Sequence, residues 1–202
     1  MPTKTDVYNM ALGLLGQTLV DSDLDTTENT VVLNGHWNSV CELCHEKTAW
    51  DFAKVRVQLA RLSSTPVFGY DYYYAVPSDL LRMLTISQSG LVGDDFLDYE
   101  SEPGKIATSA ETLYITYVSD TSISAVGRWS ASFAYYVATE LATRSMAKIN
   151  PSAKDDIVRE RKKAASDAIG LDATQGPPQQ RRLGSWARAA RGFRGNADRE
   201  QN

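Results

Sequence analysis

The stretch Trp50-Asp-Phe-Ala-Lys-Val-Arg-Val-Gln-Leu59 decides the fold, because the period of the sequence changes inside it. Upstream, apolar residues recur every three or four positions. Within it they alternate: Phe52, Lys54, Arg56 and Gln58 oppose Ala53, Val55, Val57 and Leu59, the pattern of a strand with one dry face. Downstream come more short extended runs. The segment Phe68-Gly-Tyr-Asp-Tyr-Tyr-Tyr-Ala-Val-Pro77 is aromatic and extended, and residues 81–86, 96–99, 105–108 and 113–118 read as strands. Gly90, Gly93, Pro103 and Gly104 supply turns between them. A small, mostly antiparallel β part over about residues 52–119 is thus expected between helices.

On the N-terminal side, Thr5 or Asp6 can cap a first helix whose apolar residues are Val7, Met10, Ala11, Leu14 and Leu15, with Gly16 ending it. Residues 17–27 hold Asp21, Asp23 and Asp25 and read as a loop. A second helix follows, capped by Thr26 or Thr27 and running to about residue 49. Its apolar stripe is Val32 or Leu33, Trp37, Val40, Cys41, Cys44 and Thr48. On the C-terminal side helix returns at about residue 125, with Trp129, Phe133, Tyr136, Val137, Glu140 and Leu141 along one stripe. Asn150-Pro151 interrupts it, since proline disfavours helix at the residue before it. Ser152 can start a fourth helix to about residue 169, charged nearly all round, and Glu140 is spaced to pair with Arg144. The expected fold is α+β, mainly α. A helical bundle with the β insertion fills residues 1–170, and residues 171–202 form an extended C-terminal arm.

Composition fits one globular domain with an extension: 202 residues, 43% hydrophobic and 23% charged. The start lacks the basic and apolar stretches of a secretory signal, and no apolar run is long enough to span a bilayer. The net charge of -4 conceals a division. Residues 176–202 hold six arginines and two acids, a balance of +4, so the remainder carries -4 minus +4, or -8. A basic arm is expected to leave an acidic body at the Gly176-Pro177-Pro178 hinge.

Catalytic signals are sparse. Cys41-Glu-Leu-Cys44-His45 matches the haem-attachment pattern, but haem attachment needs an exported chain. Zinc on His36, Cys41, Cys44 or His45 lacks a second ligand pair elsewhere. A redox pair needs a βαβ context that is missing. The expectation is therefore two buried thiols on a helix stripe. No phosphate-cradling loop or nucleophile elbow occurs, both histidines lie on one helix, and acids such as Asp94, Asp95, Asp98 and Glu100 read as a solvated loop. The chain is expected to be no enzyme and to need no cofactor. Tyr70, Tyr72, Tyr73 and Tyr74 could stack bases, but Asp71 sits among them and few cations interleave. They read instead as a strand with rings on both faces, one in its own core and one at a subunit interface. In the arm, Leu183, Trp186, Ala190 and Phe193 share one helical face, too short to be a stable helix alone. Ordering on a partner suits them, with Trp186 and Phe193 as anchors. The alternative is a nucleic-acid-binding module that uses the arm's arginines.

Over about the first 120 residues the order of motifs resembles a known family. Thr5-Asp-Val-Tyr-Asn-Met-Ala-Leu-Gly-Leu-Leu-Gly16 opens it, and His36-Trp37 and Cys41 follow. Then come Trp50-Asp-Phe-Ala-Lys54 and Phe68-Gly-Tyr-Asp-Tyr-Tyr-Tyr-Ala-Val-Pro-Ser-Asp-Leu-Leu-Arg82. The chain resembles the tail tubular protein A family, the head-to-tail adaptors of short-tailed bacteriophages. The resemblance implies a homo-oligomeric, twelve-fold ring in the virion, between the portal protein and the tail nozzle protein. Such a ring extends the DNA channel and helps retain the packaged genome. It also implies that the arm engages the portal, which nominates Arg181, Arg182, Leu183, Trp186, Arg188, Arg191, Phe193 and Arg194 as portal-binding residues. Ring contacts are heterologous and need two different matching faces. The aromatic β part and the charged fourth helix are the expected ones.

Overall fold

The computed structural model describes residues 1–90 and 97–175, apart from the side chain of Lys154. Helix α1 spans Lys4–Leu14 and begins two or three residues earlier than expected. Its cap is Thr3, not Thr5 or Asp6. The Thr3 hydroxyl accepts from the Asp6 amide at 3.1 Å, and the Asp6 carboxylate accepts from the Thr3 amide at 2.9 Å. This reciprocal box satisfies two otherwise orphaned donors. Helix α2, Glu28–Glu46, is capped by Thr27 as expected but stops before Thr48. The chain turns inward there because Trp50 is wholly buried, with its indole N–H donating to the Cys44 carbonyl at 2.8 Å.

The β part is two sheets rather than one. Strands β1 (Lys54–Gln58), β3 (Leu80–Ser87) and β6 (Tyr114–Ser119) form an antiparallel sheet in the order β1-β6-β3. Strands β2 (Tyr72–Ala75), β4 (Tyr99–Glu102) and β5 (Lys105–Thr108) form another in the order β2-β5-β4. The chain leaving β1 reaches the second sheet through an Arg61–Tyr74 bridge. Leu59, Tyr74, Ile106, Leu113, Ile115 and Tyr117 make a separate apolar core for this part. The alternation read in β1 holds: Val55 and Val57 face that core, and Lys54, Arg56 and Gln58 face outward.

Past β6 the chain makes a short helix α3 (Thr121–Ser124) and a 3-10 turn before α4 (Ala131–Ile149). The expected helix start at residue 125 is therefore corrected to 131. Ser130 is the cap, accepting from the Phe133 amide at 3.2 Å. Trp129 precedes the helix yet is buried, its indole N–H bonded to the Ser122 carbonyl at 2.8 Å. Helix α4 is the centre of the bundle and packs against α1, α2 and the last helix, α5 (Lys154–Gln175). Helix α5 continues past the expected end at 169, so residues 171–175, expected in the arm, are helical. Asp172 in that extra length accepts from the Asp51 amide at 3.2 Å, which ties it to the start of β1.

Tyr8, Leu12, Leu33, Trp50, Phe133 and Leu141 fill the bundle core, and Val118 of β6 joins them. Arg82 of β3 donates to the Glu46 carbonyl at 3.0 Å, a cation at the negative end of α2. Bundle and sheets are thus joined by both apolar packing and charge. Glu140 does not take Arg144 as its partner; Arg161 of α5 lies 3.5 Å from it.

Candidate functional site

The Cys41-x-x-Cys44-His45 motif sits on the buried face of α2. Burial pushes the Cys41 thiol up to about 12, and raises Cys44 as well. A thiol that resists ionisation is a poor nucleophile and a poor metal ligand. The His45 Nδ1 atom is 2.7 Å from the Cys41 carbonyl, which can only accept, so Nδ1 carries the proton. Among the described residues no three His, Cys, Asp or Glu side chains converge as metal ligands. The motif packs within the bundle: His45 meets the rings of Phe52, Trp129 and Phe133 at centroid distances of 5.8, 5.5 and 4.9 Å.

The four tyrosines expected at a subunit interface divide into two pairs. Tyr74 is 1% exposed and donates to the Ala110 carbonyl at 2.7 Å. Tyr73 is also buried, donates to Glu102 at 2.8 Å and carries Lys105 over its ring. The chain itself covers both rings. Tyr72 stacks under Arg61, 3.4 Å from the guanidinium carbon to the ring centroid, and Tyr70 donates to Asp98 at 3.1 Å. These two are half-buried and keep surface to offer a neighbour.

Three further features were not singled out by the sequence. The loop between β1 and β2 carries Val67 and Phe68, 93% and 85% exposed. Its signal was present as an apolar pair between Pro66 and Gly69, the latter at φ 86. On the outer face of the first sheet, a cavity of about 210 Å³ is lined by Arg56, Gln58, Thr85, Tyr114 and Thr116 among others. Between α2, α4 and α5, a cleft of about 370 Å³ brings Lys47, Arg161 and Lys162 around Glu140 and Leu43. Sequence could not show either hollow, since each draws residues from separate elements.

Asp79 organises the junction of β3 and β6. It accepts from Ser119 at 2.6 Å and from the Tyr117 hydroxyl at 3.0 Å. The Ser119 hydroxyl is the largest influence holding its carboxyl below the usual range, and burial opposes it. Burial first, and then the same carboxylate, push the Tyr117 phenol up to about 12.

The expected portal-binding residues Arg181, Arg182, Leu183, Trp186, Arg188, Arg191, Phe193 and Arg194 lie outside the described residues, as do Phe96 and the Asp94-Asp95 pair. Among the described residues, no helix is long and apolar enough to cross a membrane. No protein-family model matches the chain, and no curated protein matches it.

Proposed function

We propose that this chain is a structural, non-enzymatic virion protein, a head-to-tail adaptor. Twelve copies would form a ring joining the portal protein to the tail nozzle protein. The ring extends the DNA channel and helps retain the genome. The observation that carries this reading is the segregation of charge: residues 176–202 balance to +4 while the remainder holds -8. A duplex must slide through such a ring, and each cation on a phosphate adds salt-dependent affinity that a ring multiplies. An acidic body suits a wall that lets DNA pass. A separate basic segment carrying Trp186 and Phe193 suits a docking arm, because aromatic anchors and arginines dominate binding energy at interfaces. The α+β build supports the same reading, with an interlocked bundle to stand in a ring and a β part that keeps exposed aromatic and apolar groups.

The test is assembly. Mixed with portal rings of the same virus, the chain is expected to form a discrete multi-copy complex, visible by single-particle imaging. Absence of a complex at physiological salt removes the adaptor reading. A chain lacking residues 177–202 is expected to fold, judged by circular dichroism, but not to dock; normal docking by it removes the arm's role.

A further inference from the structure

The loop tip at Val67-Phe68 and the cavity beside β1 offer complementary chemistry. Phe68 is 85% and Val67 is 93% exposed, on a loop held against the second sheet by the Tyr70–Asp98 hydrogen bond. An apolar pair held out on an ordered loop marks a contact site. The 210 Å³ cavity lies on the face of the first sheet formed by Arg56, Gln58, Thr85, Tyr114 and Thr116. The opposite face of that sheet, with Val55, Val57 and Ile115, packs in the core shared with the second sheet. The exposed tip is not among the residues that line the cavity, so the chain's own fold leaves the two apart.

Their chemistry also matches. The Tyr114 ring lines the hollow, with Gly90 beside it at ordinary contact distance, where a Cβ would lie 3.6 Å from the ring. An aromatic side chain entering this hollow meets an aromatic wall and the exposed Arg56 guanidinium, which attracts a ring face. Around the tip acids outnumber bases, with Asp71, Asp98 and Glu100 exposed against Arg61. At the hollow the charge is basic: Arg56 lines it, while Lys54 farther along β1 is paired with Asp51. Like tips would repel, whereas tip and hollow attract.

We infer that the Val67-Phe68 tip of one copy seats in the Arg56–Tyr114 cavity of the next copy, a head-to-tail contact that builds the ring. The contact is heterologous, so it continues from copy to copy until the rotation closes. It rests on the ring reading for its closure, but the contact itself can be tested without the portal.

The test places one cysteine beside each half, Thr65→Cys near the tip and Gln58→Cys on the rim. Cys41 and Cys44 are buried and do not compete. Treated with a short bismaleimide at high protein concentration and low salt, the double variant is expected to give a ladder of oligomers. Mixing the two single variants gives dimers, and neither alone does so. Phe68→Asp in the double background is expected to cut the ladder at least tenfold, and Arg56→Glu several-fold, with Asp71→Arg partly restoring the latter. Unchanged circular dichroism shows that each variant is folded. Crosslinking by Thr65→Cys alone as strong as by the mixture, a ladder indifferent to Phe68→Asp, or no ladder either free or on portal rings overturns the contact. A ladder without portal binding leaves the contact standing and removes the adaptor reading. Multi-copy portal binding without a ladder does the reverse.

Discussion

Inside the bundle, His45 has one ring nitrogen bonded and one without a partner. Nδ1 donates to Cys41, while Nε2 is buried with no hydrogen-bond partner among the described residues. Charging this ring would put a cation among Phe52, Trp129 and Phe133. Burial accordingly holds its pKa below the ordinary 6.5, against a smaller opposing pull from the Cys41 carbonyl. The unfolded chain therefore binds a proton first as pH falls. The stability from a neutral His45 is complete above the unfolded value of 6.5 and is lost as pH drops from there to the folded pKa. Urea unfolding between about pH 7.5 and about pH 5.5 is expected to show this loss, and His45→Phe to flatten that part of the profile. Spacing put His45 only at the edge of the apolar stripe, and its full burial in an aromatic cage was not readable, because the cage is assembled from a turn, a loop and another helix. Trp50 teaches the same lesson: the period change marked it as a boundary, yet only the fold shows it wholly buried. Truncation to alanine is expected to cost about 3–5 kcal/mol in the same assay, a transfer loss plus a cavity.

At the scale of elements, hydroxyl caps decide where helices begin. Thr27 accepts from the Thr30 amide at the start of α2, at 3.3 Å. Thr27→Ala is expected to destabilise the chain by about 1 kcal/mol in denaturant unfolding. This cap was legible because it stands between a polar loop and the first periodic residues. Ser130 was not, because Trp129 continues the helical spacing although its backbone is extended, at ψ 145. Strands were legible from alternation, but pairing was not. Nothing local tells β1 to choose β6, or β2 to choose β5. Asp79 helps lock the first sheet by bonding Ser119 and Tyr117 across the junction. Asp79→Asn keeps the shape but removes the charged acceptor, and is expected to cost about 1–2 kcal/mol near neutral pH. Its carboxyl is held low in the fold, so the wild-type advantage is present above the ordinary carboxylate range and vanishes as pH falls through the folded pKa. Comparing the two chains by unfolding at neutral and strongly acid pH checks this.

Across the whole molecule the acidic balance of -8 in residues 1–175 predicts how the chain would behave toward DNA. The body is expected to bind duplex DNA negligibly at physiological salt. Whatever affinity the full chain shows is expected to come from the six arginines beyond residue 176, with a log–log salt slope no steeper than about -5. Anisotropy of labelled duplex against salt, with the full chain and with one ending at residue 175, measures both. Persistent binding by the truncated chain would contradict a body that repels DNA. The division of charge was visible in the sequence, because charges simply add. The two-sided β part was not, since it depends on which face each sheet turns toward the other.

The amino-acid order alone determined the element types, the helical flanks around an extended centre, and the excess of acid over base in the body. These are local or additive properties, set by periods of about 3.6 and 2 and by counting. Tertiary structure alone decided that six strands form two sheets, that α5 reaches Gln175 to meet Asp51, and that Tyr73 and Tyr74 are covered while Phe68 is not. Burial depends on what lies opposite a side chain, and residues far apart along the chain supply that.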